Sequence, residues 1–432
     1  MKKLLLLIIL FAFFPKINAQ WTLENCIKYA IERNISIKQM EITQQSAKTN
    51  LNSAQMAFLP DLNASVGQNW NFGRTQMESG LYENKTQSNT SFSVGSSMPI
   101  FAGGRLINSV SKAKIDLQSA FLNIEKAKND IELQVTSLFF EVLFQKEILK
   151  IANEQFLTTK QQVAKTELMV KSGKVPTSQL FDIQAQAAND TLSVVQANGN
   201  LKLALLNLAQ SLELQEVENF DIVSPNIEMK NYFLQTSHNI YNQAVNNKPE
   251  IKSQEFSVKS AEKSLKIAKS AYFPTINLSA GVGTNYFFLY ENLQNAAFNK
   301  QINSNLSEYI SLNLNIPIFS RLSVTNQAKQ AKFNIENQQL LLENAKKQLF
   351  KEIQTAYLNA VTANEKQNTA TQAVSAAQEA FRYAQERYSN GKSSVFEFSQ
   401  AQARLFQAQA EEAQAKYDYI FKIKVLEFYT KK

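Results

Sequence analysis

The sequence has few of the residues that interrupt regular structure. Its 432 residues include only 11 glycines and 8 prolines, whereas average usage would give about 30 and 20. Long stretches therefore lack the residues that end helices. A single cysteine excludes an intrachain disulfide, and one cysteine with one histidine excludes a Cys/His zinc cluster within one protomer. No phosphate loop or nucleophile–base pair is recognisable, so we predict no catalytic, cofactor-binding or metal site.

The amino terminus predicts export. Lys2 and Lys3 precede an apolar run from Leu4 to Phe14, and a short polar stretch then ends at Ala19, the pattern of a secretory signal peptide over residues 1–19. This run is too short to span about 30 Å of hydrocarbon. The formal net charge of +8 falls by three when the signal is removed. So mild a charge predicts no nucleic-acid partner, because a nucleic-acid footprint would need clustering on one face.

The rest of the chain contains no apolar stretch long enough for a membrane-spanning helix, so a membrane-inserted form is expected to be a closed β-barrel.

The chain is one unit written twice. Ala57-Phe58-Leu59-Pro60 aligns with Ala271-Tyr272-Phe273-Pro274, and Gly173-Lys174 aligns with Gly391-Lys392, at nearly the same offset along the chain. A register held over this length predicts an internal duplication. We assign residues 20–210 to the first repeat, 211–239 to an acidic linker and 240–432 to the second repeat.

Each repeat contains one window of alternating residues, 60–101 in the first and 274–319 in the second. Leu62, Ala64 and Val66 alternate with polar residues, as do Ile310, Leu312 and Leu314. Four strands of about ten residues, apolar on one face, are typical of a transmembrane barrel, although a soluble half-buried sheet has the same alternation. Aromatic residues near the strand ends favour a membrane girdle: Trp70, Phe72, Phe101, Tyr286, Phe287 and Tyr309.

Between the windows the chain predicts very long helices. Residues 105–172 and 321–390 contain neither glycine nor proline, and each run would extend roughly 100 Å as a helix. Such helices must pair side by side as coiled coils, turning back at residues 173–177 and 390–394. The predicted seam residues are Ile335, Leu342, Leu349, Ala356, Ala363, Ala370, Ala373, Ala377, Ala380 and Ala384, with Ala185, Ala188, Leu192, Val195 and Gly199 in the first repeat.

Four strands cannot close a barrel alone, because single-chain membrane barrels begin at eight strands. A dimer would supply eight strands and a trimer twelve, and only twelve leave a wide lumen. The fold class predicted from the sequence is an α+β membrane protein, with long antiparallel helical hairpins and four transmembrane strands per protomer.

The chain resembles the TolC family of outer-membrane channel-tunnel proteins over essentially all of residues 20–432. The resemblance is carried by the two alanine-to-proline segments given above, by Pro-Ile-Phe at 99–101 and 317–319, and by Arg387-Tyr388-Ser389-Asn390-Gly391 followed by Gln400-Ala401-Gln402. It implies a homotrimer with a 12-stranded β-barrel in the outer membrane of a Gram-negative cell and an α-helical tunnel in the periplasm. It also implies a periplasmic adaptor and an inner-membrane pump of the RND, ABC or MFS type, serving efflux or type I secretion.

The resemblance also implies site residues near the hairpin turns. Counted from Gly391, the positions of a constriction are Glu397 and Gln400, and Gln400 departs from the acid that some family members carry there. A ring of Glu397 carboxylates would favour cations, although a glutamate at a helix start is also favoured by the helix dipole. The candidate adaptor contacts are Lys171, Gly173, Lys174, Gly391 and Lys392; the lysines are equally well explained as ordinary turn charges.

Two alternatives remain open from the sequence. A soluble periplasmic adaptor also contains long helical hairpins, but it would have one hairpin inside β domains rather than two hairpins with isolated strand windows. An enzyme on a helical scaffold would need a reactive constellation, and none is recognisable.

Overall fold

The computed structural model describes residues 21–76, 80–215, 217–218, 220–224, 235–290 and 295–430. The predicted signal peptide, residues 1–19, lies outside the described residues, and so does part of the predicted linker 211–239. Nine helices lie within these ranges: α1 Leu23–Arg33, α2 Ile35–Met56, α3 Arg105–Lys171, α4 Thr177–Ser211, α5 Ser237–Ala244, α6 Pro249–Ser270, α7 Phe298–Ser304, α8 Ser323–Ser389 and α9 Val395–Thr430. The strands are β1 Asn63–Asn71, β2 Arg74–Gln76, β3 Tyr82–Asn84, β4 Gln87–Ala102, β5 Thr275–Leu289 and β6 Ser307–Asn315.

The two long helices, α3 and α8, have 67 residues each. Buried and half-buried side chains of α8 recur at alternating steps of four and three, the spacing of a coiled-coil seam: Leu349, Ile353, Ala356, Ala360, Ala363, Gln367, Ala370, Val374, Ala377, Phe381, Ala384 and Tyr388. Ala373 and Ala380, which the sequence assigned to this seam, are exposed. The seam instead uses Val374 and Phe381, because alanine fits either face and its spacing alone does not identify the buried one.

Helix α4 also differs from its predicted seam. Ala185, Ala188, Leu192, Val195 and Gly199 are all exposed, and the buried face is formed by Ile183, Asp190, Ala197, Ala204 and Leu208. At 100° per residue the two stripes lie on nearly opposite sides of the helix. The pattern correctly identified an apolar stripe on α4, but the face that packs against the core of the protomer is the opposite one.

Four strands form one antiparallel sheet in the order β1-β4-β5-β6. The register aligns Asn63 with Gly95, Gly95 with Gly281 and Gly281 with Tyr309. β4 and β5 have 16 and 15 residues, longer than the predicted ten. β2 and β3 form a separate two-stranded ribbon between β1 and β4 in the chain. The register shifts between Pro99 and Phe101, which returns the Phe101 side chain to the apolar face.

The sheet is open on both edges within the described residues, because β1 and β6 each pair on one side only. Every residue of β1 is exposed, and so is all of β6 except one half-buried residue. Ile310 and Leu312 on the apolar face are 83% and 67% exposed. An apolar face and two free edges of this kind need further partners.

The chain divides into two compact units. Unit 1 comprises residues 1–41, 124–249 and 346–432, and unit 2 comprises residues 42–123 and 250–345. The sheet belongs to unit 2. Each unit takes segments from both predicted repeats, so the repeat boundaries 20–210 and 240–432 stay a prediction.

Unit 1 has an apolar core formed by α1, α3, α4 and α9. Phe139, Leu143, Leu208 and Cys26 are at most 1% exposed in this core. Cys26 packs here as a small apolar side chain, and burial raises the pKa of its thiol to about 12. In the part of the chain described above, none of the helices combines the length and hydropathy needed to cross a membrane.

Candidate functional site

Both long helices end in the same turn motif. At the first turn, the Gly173 N–H donates to the Val170 carbonyl at 2.9 Å and the Lys174 N–H donates to the Met169 carbonyl at 2.9 Å. At the second turn, the Gly391 N–H donates to the Tyr388 carbonyl and the Lys392 N–H donates to the Arg387 carbonyl, both at 2.9 Å. The two glycines have φ of 71° and 69°, the left-handed conformation of a Schellman cap, which favours glycine. Lys171, Lys174 and Lys392 beside them are exposed, and Lys171 pairs with Glu167 at 2.9 Å.

Glu397 lies in the first turn of α9, immediately after the second turn motif. Ser394 caps this helix, because its Oγ accepts the Glu397 backbone N–H at 3.3 Å. The Glu397 carboxylate pairs with Arg387 at 3.3 Å, with side chains that are 49% and 60% exposed. Such an exposed ion pair contributes little stability. Gln400, one turn further along the same helix, is also exposed.

A small aromatic core fixes the backbone beneath Glu397. Phe398 is fully buried, and its ring centroid lies 5.5 Å from those of Tyr388 and Phe381. The Tyr388 hydroxyl lies 2.9 Å from the Thr166 Oγ on α3, and Ile183 on α4 completes the cluster. Side chains of α3, α4, α8 and α9 therefore pack together beneath the turns, and Glu397 lies directly beside this core.

A second buried cluster, which we call the Asp190 cluster, lies along the same helices. Asp190 on α4 is 2% exposed. Its carboxylate accepts hydrogen bonds from Gln155 at 2.8 Å, from Gln186 at 2.9 Å and from the Thr159 hydroxyl. Gln402 on α9 donates to Thr159 at 2.8 Å. The cluster thus joins α3, α4 and α9 through buried Asp190, Thr159 and Gln402 and half-buried Gln155 and Gln186.

The Asp190 cluster was not predicted from the sequence, although one signal pointed to it. The sequence carries a Gln-Ala-Gln triplet in each repeat, at 184–186 and 400–402, and the second glutamine of each triplet enters the cluster. The first glutamines, Gln184 and Gln400, are exposed.

The six aromatic residues predicted as a girdle divide between the two faces of the sheet. The register places Trp70, Phe101 and Tyr286 on the apolar face. Phe287 and Tyr309 lie on the polar face, where a Cβ on Gly281 would approach the Tyr309 ring to 2.8 Å. The remaining residue, Phe72, follows β1 and is 77% exposed.

No group of three or more His, Cys, Asp or Glu side chains suited to a metal ion occurs among the described residues. The features on which function can be argued are therefore the hairpin turns, Glu397 and the exposed surfaces of the protomer.

Comparison with known proteins identifies one family. The model of the outer membrane efflux protein family matches residues 26–213 and 240–423. The outer membrane protein TolC of Escherichia coli is 22% identical over 431 residues, covering 97% of this chain and 84% of that protein.

Solved structures share the fold. The Campylobacter jejuni CmeC outer membrane channel superposes with a TM-score of 0.79 at 17% identity, covering 97% of this chain and 90% of that one. The open state of the Neisseria gonorrhoeae MtrE outer membrane channel gives a TM-score of 0.76 at 18% identity, covering 94% and 88%. The α+β channel-tunnel fold expected from the sequence is confirmed.

Proposed function

This chain belongs to the outer membrane efflux protein family, and we propose that it is the passive outer-membrane conduit through which an inner-membrane pump exports its cargo. Family membership establishes an efflux channel of the outer membrane and removes the soluble adaptor alternative. The proposal adds the assembly and the residues: a homotrimer, a constriction at Glu397, and hairpin turns that dock a periplasmic adaptor. The cargo would be small molecules or proteins, delivered by a pump of the RND, ABC or MFS type.

The observation that carries the proposal is the incomplete sheet. β1 and β6 are free edges of nine residues each, so β6 of one copy can pair with β1 of the next over its full length. Three copies of four strands give a closed sheet of twelve strands, wide enough for a water-filled lumen. The apolar face, with Ile310 and Leu312 outward, then meets lipid, and the Asn- and Ser-rich face lines the lumen.

The constriction follows from the position of Glu397. Its carboxylate is exposed at a helix start next to the buried Phe398, and three copies around an axis would form a ring of carboxylates, each with an exposed Arg387 beside it. Such a ring attracts cations and excludes anions. Gln400 lies one turn away on the same face and is neutral, so we assign it a lining role without charge selection.

The adaptor contacts are proposed at the two turns. Lys171, Gly173, Lys174, Gly391 and Lys392 are all exposed, and the two Schellman caps give both turns one backbone conformation. Two turns with the same backbone geometry in each protomer suit a partner that repeats its own contact around the ring.

The experiment is planar-bilayer conductance of the purified protein, of Glu397→Ala and of Gln400→Ala. We expect small cation-selective currents whose selectivity falls in Glu397→Ala, because the carboxylate ring is removed. Gln400→Ala is the matched control, since it changes the same face of the same helix without changing charge, and it should keep the selectivity. Unchanged selectivity in Glu397→Ala would show that Glu397 does not line the constriction. An absence of current in all three proteins would contradict the proposal that the protein is a conduit.

A further inference from the structure

The positive charge of this protein is concentrated where its helices meet the sheet. We define the basic belt as four chain segments of equal length that adjoin the sheet: 46–62, 103–119, 258–274 and 316–332. The belt contains eleven lysines and arginines but only three acids, and the rest of the chain carries equal numbers of basic and acidic residues. The whole formal excess of +8 therefore arises from these four segments.

The four segments all adjoin the same end of the four strands. Segment 46–62 precedes β1, 103–119 follows β4, 258–274 precedes β5 and 316–332 follows β6. Because the strands are antiparallel in the order β1-β4-β5-β6, these four ends lie side by side. The belt is thus one continuous feature of unit 2 rather than four separate charge runs.

The basic side chains closest to the sheet are free to meet an external partner. Arg105, Lys266, Lys269 and Arg321 are exposed, and none forms a salt bridge with an acid of the described residues. Two of the three acids of the belt are already engaged. Asp116 pairs with Lys112 at 2.6 Å, and Asp61 accepts the Ser97 backbone N–H at 2.7 Å.

Exposed apolar and aromatic side chains lie between the belt charges and the strands. They are Phe58, Leu59, Leu62, Tyr272, Phe273, Ile316, Ile318 and Phe319, each more than 40% exposed. Passing from the strands to the helices, the surface therefore changes from an apolar face, through an apolar and aromatic border, to basic charge. This is the order of chemistry met on leaving a bilayer through an anionic headgroup layer.

We propose that the basic belt binds the anionic phospholipid headgroups of the membrane leaflet from which the helices emerge. The inference rests on the proposed function, because it requires the sheet to lie in the membrane. A nucleic acid would also attract the lysines, but it would give no role to the apolar border, which lipid does.

The test is lipid binding by the purified, detergent-solubilised full chain, with phosphatidylglycerol as the anionic probe and phosphatidylethanolamine as the zwitterionic one. Native mass spectrometry counts the lipids bound to the intact assembly. We expect the wild type to prefer phosphatidylglycerol by at least ten-fold, and we expect that preference to disappear at 1 M salt, where the Debye length is about 3 Å.

The belt variant combines Arg105→Gln, Lys266→Gln, Lys269→Gln and Arg321→Gln. Each lost charge near an anionic surface should reduce binding by about five-fold, so the preference should fall to near unity. The matched control combines Lys160→Gln, Lys165→Gln, Lys351→Gln and Lys366→Gln. These four lysines are exposed on α3 and α8, and each lies at least about 40 Å along its helix from the first residue of that helix. The control should keep the wild-type preference. If the belt variant fails to assemble, Lys266→Gln with Lys269→Gln tests the same point with a smaller expected loss.

Retention of the phosphatidylglycerol preference by the belt variant, or an equal loss in the control, overturns the inference. So does a wild type that binds both lipids equally. Conductance in bilayers of phosphatidylethanolamine alone separates this failure from failure of the proposed function. A protein that conducts without headgroup preference remains a channel, whereas one that never conducts is not.

Discussion

At the residue scale, Asp190 is the most consequential side chain that the sequence did not reveal. A carboxylate at 2% exposure is tolerated because Gln155, Gln186 and Thr159 donate to it. Acidic residues of long amphipathic helices usually face water, so sequence alone gave no reason to place this one inside. Glu397 was the easier case, since its position after Gly391 placed it in the first turn of a helix, and the structure has it there, exposed.

Replacing Asp190 should therefore destabilise unit 1. Asp190→Ala removes the acceptor shared by the buried Thr159 hydroxyl and two half-buried glutamine amides, which costs about 3 kcal/mol, whereas Asp190→Asn keeps one acceptor oxygen and should cost less. Asp182→Ala removes an exposed acid from the same helix and should stay within about 0.5 kcal/mol of the wild type. Guanidinium unfolding followed by circular dichroism measures these differences. Equal stability of Asp190→Ala and Asp182→Ala would show that the buried hydrogen bonds contribute nothing.

At the scale of single elements, the segment after β5 protects a sheet edge. β6 pairs with β5 only as far as Gly283, and the next three outward backbone positions of β5 bond to side-chain amides instead. Asn305 donates to the Asn285 carbonyl at 2.8 Å. The Gln301 amide bonds both the N–H and the C=O of Phe287 at 2.9 Å. The Asn295 amide does the same for Leu289, at 2.9 and 2.7 Å. These amides replace a missing strand and keep other chains from adding there. The sequence gives no sign of this arrangement, because a side-chain amide that bonds a backbone position elsewhere in the chain leaves no periodic pattern.

Removal of one amide should open this edge locally. Gln301→Ala leaves the Phe287 N–H and C=O unpaired, and two lost hydrogen bonds of about 1 kcal/mol each should speed amide exchange at Phe287 by roughly 10- to 30-fold. Lys300→Ala, an exposed neighbour on α7, is the control and should leave exchange unchanged. Hydrogen–deuterium exchange of the reconstituted protein reports both. Identical exchange in the two variants would mean that the amide contributes nothing to the edge.

At the scale of the whole molecule, the sequence predicted the order and type of the elements better than it predicted which face of each helix is buried. Period-two windows and glycine-free runs located the four main strands and the long helices, since both signals are local. Which helix face is buried within one protomer is decided by neighbours from distant parts of the chain. For that reason Ala373 and Ala380 were assigned to the wrong stripe of α8, and the α4 stripe was expected inside the protomer.

The exposed α4 stripe makes a prediction about assembly. Leu192 and Val195 are 65% and 63% exposed, on the side of α4 nearly opposite its buried face. We assign this apolar stripe to contact with another copy in the proposed trimer, because a soluble helix seldom leaves a continuous apolar seam in water. Leu192→Glu with Val195→Glu would bury two unpaired carboxylates in that contact, at a cost of several kcal/mol, and should shift the assembly from trimer to monomer.

The control adds the same two charges to α4 away from the stripe. Thr191→Glu with Asn198→Glu alters exposed positions that lie about 90° around the helix from the centre of the stripe, so the trimer should persist. Light scattering of the detergent-solubilised proteins gives the number of copies, and circular dichroism verifies that each variant keeps its helices. A stripe variant that remains trimeric would place the interface on another face of the protomer. A control that also dissociates would show that added charge alone, rather than its position on α4, disrupts the assembly.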